Sequence, residues 1–324
     1  MTNWNALYDR LRAAAPTLEL RRDEPMSRHT SFQVGGPVPL MALPKNETQL
    51  QQILSAAALD FGVRPFFMGR GTNLLVSDEG AGLLVIKAYD GLDRLELLPE
   101  GEWPGRRTIL AGSGVSLSRL SGFALEHGLT GLEFAQGIPG SVGGGVYMNA
   151  GAYGGELGQV ISSVASVALP PEEFLREHLD PRFSYRHSPF QGQDEFILRA
   201  CFSLAPGDRL EIKAKMDDFA RRRREKQPLE YPSAGSFFKR PAPVDGRPVY
   251  AGALIEGCGL KGLSVGGAQV SEKHAGFVIN RGGATCRDIM ELTSQVRERV
   301  LKETGVALEP EVRYLGKEGE GWNF

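Results

Sequence analysis

Between Gly137 and Gly145 the chain reads Gly-Ile-Pro-Gly-Ser-Val-Gly-Gly-Gly, nine residues with hardly any side-chain bulk. The run lies in a stretch, 131–158, with glycine at 131, 137, 140, 143, 144, 145, 151, 154, 155 and 158. Such a segment loses much chain entropy on ordering, so regular helix is not expected there, and a bound ligand is the simplest compensation. A second bare loop, Gly69-Arg70-Gly71-Thr72-Asn73, lies earlier in the chain. Both offer backbone N–H groups unshielded by side chains, the arrangement that binds phosphate oxygens. Ser141, Thr72 and Asn73 add side-chain donors. A pyrophosphate gripped by two such loops fits a dinucleotide better than a mononucleotide. Tight turns in a β-rich domain are the alternative for either loop alone. Glycine as a whole is in excess, 41 of 324 residues or about 13% against a usual share of about 7%.

The remaining composition excludes several classes. Lys and Arg total 37 and Asp and Glu 39, a net charge of −2, so polyanion binding is not the main business. With 41% hydrophobic and 23% charged residues the chain reads as an ordinary globular protein of two or three domains. No apolar run approaches a membrane span. The opening Met1-Thr2-Asn3-Trp4-Asn5 lacks the blocks of a secretory signal, which predicts a cytoplasmic protein. Cys201, Cys258 and Cys286 are odd in number and widely spaced, fitting neither a disulfide framework nor a zinc site. The five histidines form no His-x-x-x-His pair, and a metal-free site is expected.

The elements are mixed. Residues 46–61 predict an amphipathic helix capped by Asn46, with Leu50, Ile53, Leu54 and Ala57 on one face. The strand Phe66–Met68, the glycine loop, the strand Leu74–Val76 and a strand over 83–88 follow. In a Rossmann unit the glycine loop opens a helix, so that reading is weak. A helix over 116–127 closes at Gly128. Strands are expected around Val160-Ile161 and Phe196–Leu198, and a helix over 210–224 carrying Ile212, Met216 and Phe219. Thr285-x-x-Asp288 resembles a capping box opening a helix that Gly305 ends. Residues 306–316 alternate like a strand. This pattern leaves α+β and α/β both open.

The run Gly131-Leu132-Glu133-Phe134, Gly137 to Gly144 and Met148-Asn149-Ala150-Gly151-Ala152-Tyr153-Gly154 closely resembles the UDP-N-acetylenolpyruvoylglucosamine reductase (MurB) family. So do Gly69 to Val76, Tyr185-Arg186-His187-Ser188, Ala234-Gly235-Ser236-Phe237-Phe238-Lys239 and Leu308-Glu309-Pro310-Glu311-Val312, in the family's order from about Thr30 to Gly316. The resemblance implies an α+β flavoenzyme of peptidoglycan precursor synthesis. It has a two-part, non-Rossmann FAD-binding region of the PCMH type and a third, α+β substrate domain. By analogy, 1–84 is the first FAD-binding subdomain, with 312–324 returning to it; 85–205 is the second, and 206–311 binds substrate. Gly69, Arg70, Gly71, Thr72, Asn73 and Leu74, with Ile138, Pro139, Gly140, Ser141, Gly143 and Gly144, hold the diphosphate of a non-covalent FAD. Asn149, Ala150, Gly151 and Ala152 lie near the cofactor, and Thr30-Ser31-Phe32 resembles an N-terminal strand entering the first domain.

The implied reaction reduces an enolpyruvyl ether, that of UDP-N-acetylglucosamine enolpyruvate, to a lactyl ether with NADPH as donor. Charge builds next to the substrate carboxylate, calling for a cationic stabiliser and an acid. Arg186 matches the family's stabilising arginine, whose fork can meet a carboxylate with two hydrogen bonds. Ser236 matches its proton donor, between Gly235 and two phenylalanines expected to restrict water. Glu311 matches its C-terminal glutamate in the closing strand, with Glu309 on the same strand face as its rival. Tyr185, Arg222, Lys226, Arg240, Lys261 and His274 are the candidates for substrate contact, although the run Arg221 to Lys226 also reads as a solvated helix end. Arg240 stands where the family commonly carries asparagine and His274 where some members carry glutamine. The 50 residues from Arg186 to Ser236 are too few for the tyrosine-bearing loop of the longer subclass. An oxidase on the same scaffold is weakened by the lack of an evident His or Cys for flavin attachment. A binding protein without turnover is disfavoured by the joint presence of Arg186, Ser236 and Glu311.

Overall fold

The computed structural model describes residues 2–88, 91–99, 105–169, 175–243, 246–317 and 319–322. Its fold is α+β, and the chain divides into two units that each draw on separated segments. The first comprises Met1–Arg22, Leu40–Arg70 and Leu83–Arg222; the second comprises Asp23–Pro39, Gly71–Gly82 and Arg223–Phe324. Among the described residues no helix is long and apolar enough to cross a membrane.

In the first unit an antiparallel sheet runs in the order Arg176–Leu179, Ile161–Ala168, Glu195–Pro206, Arg107–Gly112, Leu95–Leu97, and Leu129–Thr130 pairs with the far end of Glu195–Pro206. The long strand serves two cores. Ala200, Phe202 and Leu204 pack with Leu117, Leu120, Val142 and Val146 from the helices Leu117–Glu126 and Val142–Met148. Phe196 and Leu198 belong to a different cluster, with Leu50, Ile53 and Leu54 of the helix Glu47–Ser55 and Leu7 and Leu11 of the helix Trp4–Ala14. Even-numbered residues face opposite ways because the register slips between Ala165 and Ser166, where one residue of the longer strand has no opposite number. Such a bulge inverts the alternation beyond it. The parallel strands Leu84–Lys87 and Phe66–Met68 carry the first glycine loop's entry.

The second unit is built on the antiparallel order Ser233–Ser236, Phe277–Asn280, Ala268–Val270, Ser264–Val265. The helix Cys286–Thr304 buries Ile289, Leu292, Val296 and Val300 in the same cluster as Val270 and Val278. Thr285 and Asp288 form the expected capping box, and Gly305 ends the helix in the left-handed region. Asp78 adds a second cap from far away in sequence: its carboxylate accepts from the amides of Cys286 (2.7 Å) and Arg287 (3.0 Å). Those are orphan donors of the first turn, where negative charge is favoured. Leu74–Val76 pairs in parallel with Arg313–Gly316, which turns into Gly319–Glu320.

Four local expectations need correction. The glycine-rich stretch does hold a helix, Val142–Met148. Val142 and Val146 are buried anchors, and a Cβ at Gly145 would come within 2.9 Å of Leu157 and 3.1 Å of Leu117, so close packing overrides poor propensity. Residues 46–61 hold the regular helix Glu47–Ser55, capped by Asn46 as expected, and then loosen into a wider turn over Ala56–Asp60. Only Arg313–Gly316 of 306–316 is strand; Pro310, which has no N–H for a ladder, makes an isolated bridge to Phe238. Thr30-Ser31-Phe32 is a turn, because the Thr30 hydroxyl donates to the Val34 carbonyl (2.8 Å) and accepts from its amide (3.3 Å).

Candidate functional site

In the first unit Gly69, at the entry of the first bare loop, approaches the second at Ser141. An ideal Cβ at Gly69 would lie 2.3 Å from the Ser141 hydroxyl, so any side chain there would displace it. The second loop is stitched to 113–117 by backbone bonds: Leu117 N–H to Gly140, Val142 N–H to Val115, and Gly143 N–H to Ser113 (2.8–3.0 Å). A Cβ at Gly143 would press to 2.8 Å from that of Ser113. The hydroxyls of Ser113 and Ser141 are buried with no hydrogen-bond partner. Two orphaned hydroxyls cost about 1–3 kcal/mol each unless a ligand completes them. The Val142 and Gly143 amides are spent within the protein, and it is the closely set small residues and the two waiting hydroxyls that fit the phosphate oxygens of FAD. Ser113 was missed in the sequence, although Gly112-Ser113-Gly114 repeats the small-residue signal. Among the described residues no His, Cys, Asp and Glu cluster fits a metal ion.

The segment after the short helix is held from behind. Asn149 takes a left-handed conformation (φ +44°) with its side chain fully buried. Its amide nitrogen donates to Ser184 O (2.8 Å), and its amide oxygen accepts from Gly158 N (2.9 Å). Both ends of that side chain are therefore turned to the protein. Ser184 opens the turn Ser184–His187, in which Arg186 has φ +53°. Gln191 donates to the Arg186 carbonyl (3.1 Å), and the Arg186 guanidinium donates to Gly151 O (3.1 Å). Arg186 is thus tied to the predicted cofactor segment, its guanidinium 5.1 Å from the centre of the exposed Tyr185 ring. Arg222 lies on the exterior and pairs with Asp218 (2.7 Å), whose carboxyl Arg221 and then Arg222 hold below the usual range.

In the second unit the peptide of Gly71 accepts from Ser31 N–H (3.0 Å), and Asn73 spends its side-chain amide on Glu311 O (3.0 Å). The segment 236–239 runs antiparallel to 309–312. Glu311 N–H donates to Phe237 O (2.8 Å), and Lys239 N–H donates to Glu309 O (2.9 Å). Ser236 and Glu311 therefore project from adjoining backbone. Neither glutamate lies in the regular strand expected for them. Glu309 points out, its side chain 73% exposed and 3.5 Å from Lys239, whereas Glu311 is half-buried. Phe237 and Phe238 turn into the core, so they do not screen Ser236, which is exposed.

Lys226, Lys261 and His274 share one neighbourhood. Burial lowers the His274 pKa below its ordinary 6.5, and the charges of Lys261 and Lys226 act in the same direction, opposed by Glu256. Its Nδ1 accepts from Gly276 N–H (3.1 Å), and Lys261 pairs with Glu256 (2.6 Å). Arg240 sits over the Tyr250 ring, 5.2 Å from its centre. A histidine depressed in this way favours the folded state when neutral. Its stabilisation is complete above pH 6.5 and is lost as pH falls from there through the lowered value. His274→Gln should accordingly shrink the drop in melting temperature between pH 7 and pH 5; an unchanged drop would remove His274 as its source.

Comparison with known proteins gives a consistent result. A family profile described as UDP-N-acetylenolpyruvoylglucosamine reductase, C-terminal domain, matches residues 227–315, and one described as FAD binding domain matches 38–169. The UDP-N-acetylenolpyruvoylglucosamine reductase of Caldanaerobacter subterraneus subsp. tengcongensis is 44% identical over 313 residues, spanning 96% of this chain and 98% of the relative. That of Thermotoga sp. strain RQ2 is 45% identical over 295 residues, 91% of this chain and 93% of the relative. The crystal structure of UDP-N-acetylenolpyruvylglucosamine reductase (MurB) from Thermus caldophilus superposes with a TM-score of 0.76 at 30% identity, covering 92% of this chain and 99% of that one.

Proposed function

The chain belongs to the UDP-N-acetylenolpyruvoylglucosamine reductase family, and from that premise we propose how its residues divide the work of converting UDP-N-acetylglucosamine enolpyruvate to UDP-N-acetylmuramate. It is an FAD-dependent oxidoreductase with NADPH as reductant, acting in peptidoglycan precursor synthesis and so in cell-wall biogenesis, cell shape and division. The chemistry FAD supplies when bound is two-electron transfer, hydride in from NADPH and hydride out to the terminal carbon of the enolpyruvyl group.

The chain's own residues do the rest. Gly69 to Leu74 and Ile138 to Gly144 hold the diphosphate, chiefly through main chain and the Ser141 hydroxyl, and Asn149 to Ala152 shape the next turn of the pocket. Arg186 binds the substrate carboxylate and stabilises the charge that grows on the adjoining carbon. The Ser236 hydroxyl delivers the proton that completes the lactyl ether, and Glu311 shares a proton with the enolised carboxylate. Tyr185, Arg222, Lys226, Arg240, Lys261 and His274 bind the sugar nucleotide. By function the chain divides into 1–84, to which 312–324 returns, 85–205 and 206–311. Its place of work is the cytoplasm, where NADPH and sugar nucleotides are made.

The observation that carries the catalytic reading is the bond from Glu311 N–H to Phe237 O, which sets the glutamate and Ser236 on adjoining backbone. The test is spectroscopic. Under anaerobic conditions NADPH should bleach the bound flavin's visible band, and the UDP-linked enolpyruvyl sugar should restore it with formation of the lactyl product. Bleaching without restoration would point to another acceptor, and a protein that takes up no FAD would defeat the reading.

A further inference from the structure

At the end of the C-terminal family match, residue 315, Gly319–Glu320 pairs back on Leu315 and Gly316. Gly316 pairs with Gly319 and Leu315 with Glu320, the Arg313 guanidinium grips the Glu320 carboxylate, and Gly321 N–H donates to Tyr314 O (3.1 Å). The hairpin delivers one large side chain. The Trp322 indole N–H donates to Val312 O (2.8 Å), and its ring packs edge-on against Phe237 (5.7 Å, 70°) and obliquely on Tyr314 (5.3 Å, 34°). Val312 is the residue after Glu311, and Phe237 is the residue after Ser236. The two backbones are already joined there, because Phe237 O accepts from Glu311 N–H (2.8 Å) and, more weakly, from Val312 N–H (3.4 Å).

We propose that Trp322 is a positioning residue that clamps the seam between Phe237 and Val312, and so fixes the backbone from which Ser236 and Glu311 present their proton-handling groups. The proposal rests on the catalytic reading of those two residues. The carbonyl of Phe237 takes two donors in a lopsided fork, so a small slide of one segment along the other exchanges the long bond for the short one. An indole bonded to one segment and packed on the other opposes that slide, since Trp combines a large apolar face with a donor that must be satisfied when buried. Misplacement of a catalytic group by about 1 Å can cost on the order of 100-fold in rate. The seam meets the diphosphate loops through the Asn73 side-chain amide, which holds the Glu311 carbonyl (3.0 Å) in a bond where Trp322 takes no part, so the step with NADPH is expected to change far less than the step with the enolpyruvyl sugar.

The test uses the full-length holoenzyme with Trp322→Phe, which keeps a ring and deletes the donor, and Trp322→Ala. Rapid-mixing absorbance should find the NADPH step within about twofold of the parent, and the step with the enolpyruvyl sugar slowed about tenfold for Phe and about 100-fold for Ala. Independently of turnover, and with FAD present or stripped, hydrogen exchange at the Glu311 and Val312 amides should quicken in both variants while exchange in the helix Cys286–Thr304 stays unchanged. Equal slowing of both steps, or quickened exchange with an unaltered second step, overturns the proposal. Ser236→Ala separates the two ideas. If it leaves the second step intact, the catalytic reading is at fault; if it slows that step and Trp322→Phe does not, only the clamp is.

Discussion

Ser236→Ala should leave reduction by NADPH within about twofold of the parent and slow the step with the enolpyruvyl sugar nucleotide by about 10³-fold, within the range for loss of a positioned acid. The residue ends the strand Ser233–Ser236, directly after Gly235, which has φ +78°. That conformation breaks the strand's alternation and lets Phe237 and Phe238 turn into the core while Ser236 faces out. Removing one hydroxyl from an exposed site disturbs no packing, so the melting temperature should hardly move. A serine hydroxyl is a poor acid in water, so its effect depends on substrate covering it and on the neighbouring carboxylate. Rapid-mixing absorbance of each half-reaction decides the matter: equal loss in both would make Ser236 a structural residue.

Arg186→Met should lower kcat/KM for the enolpyruvyl sugar by about 100- to 1000-fold, as expected when a donor is withdrawn from developing negative charge. Arg186→Lys should fall between, because an ammonium keeps the charge and loses the planar fork. The turn that carries Arg186 is held by Asn149 from one side and Gln191 from the other, so the backbone should survive either change. Steady-state kinetics in both substrates gives the check. If Arg186→Lys matches the parent, two-point recognition of the carboxylate is not what the arginine provides, and a loss confined to KM for NADPH would move Arg186 to a different task.

What could be read in advance was local. Asn46, Thr285 with Asp288, Gly128 and Gly305 mark helix ends because each cap acts over three or four residues. The two glycine loops were legible as chemistry, though Ser113 and Gly69 as the close-contact positions were not. The helix Val142–Met148 escaped because propensity argues against it and only Leu117 and Leu157, brought in from elsewhere, make it pack. Asn149 reads as a residue near the cofactor, and what the sequence does not show is that its side-chain amide is spent on Ser184 and Gly158. The bulge that lets one strand serve two cores has no local signature, since Phe196 to Leu204 alternates as though it had a single buried face.

The joint made by Asp78 bears on how the molecule is born. The amides it accepts from belong to Cys286 and Arg287, 208 and 209 residues onward. At roughly 5–20 residues per second on the ribosome, that separation is on the order of 10–40 s of synthesis. Throughout that wait Leu74-Leu75-Val76 has no Arg313–Gly316 to lie against, and an apolar strand without its neighbour invites association with other nascent chains. Half of the first glycine loop travels with this segment, Asn73 O accepting from Arg313 N–H (3.1 Å), so that half too is set only once the end of the polypeptide has been made, and a chain released early would be sticky.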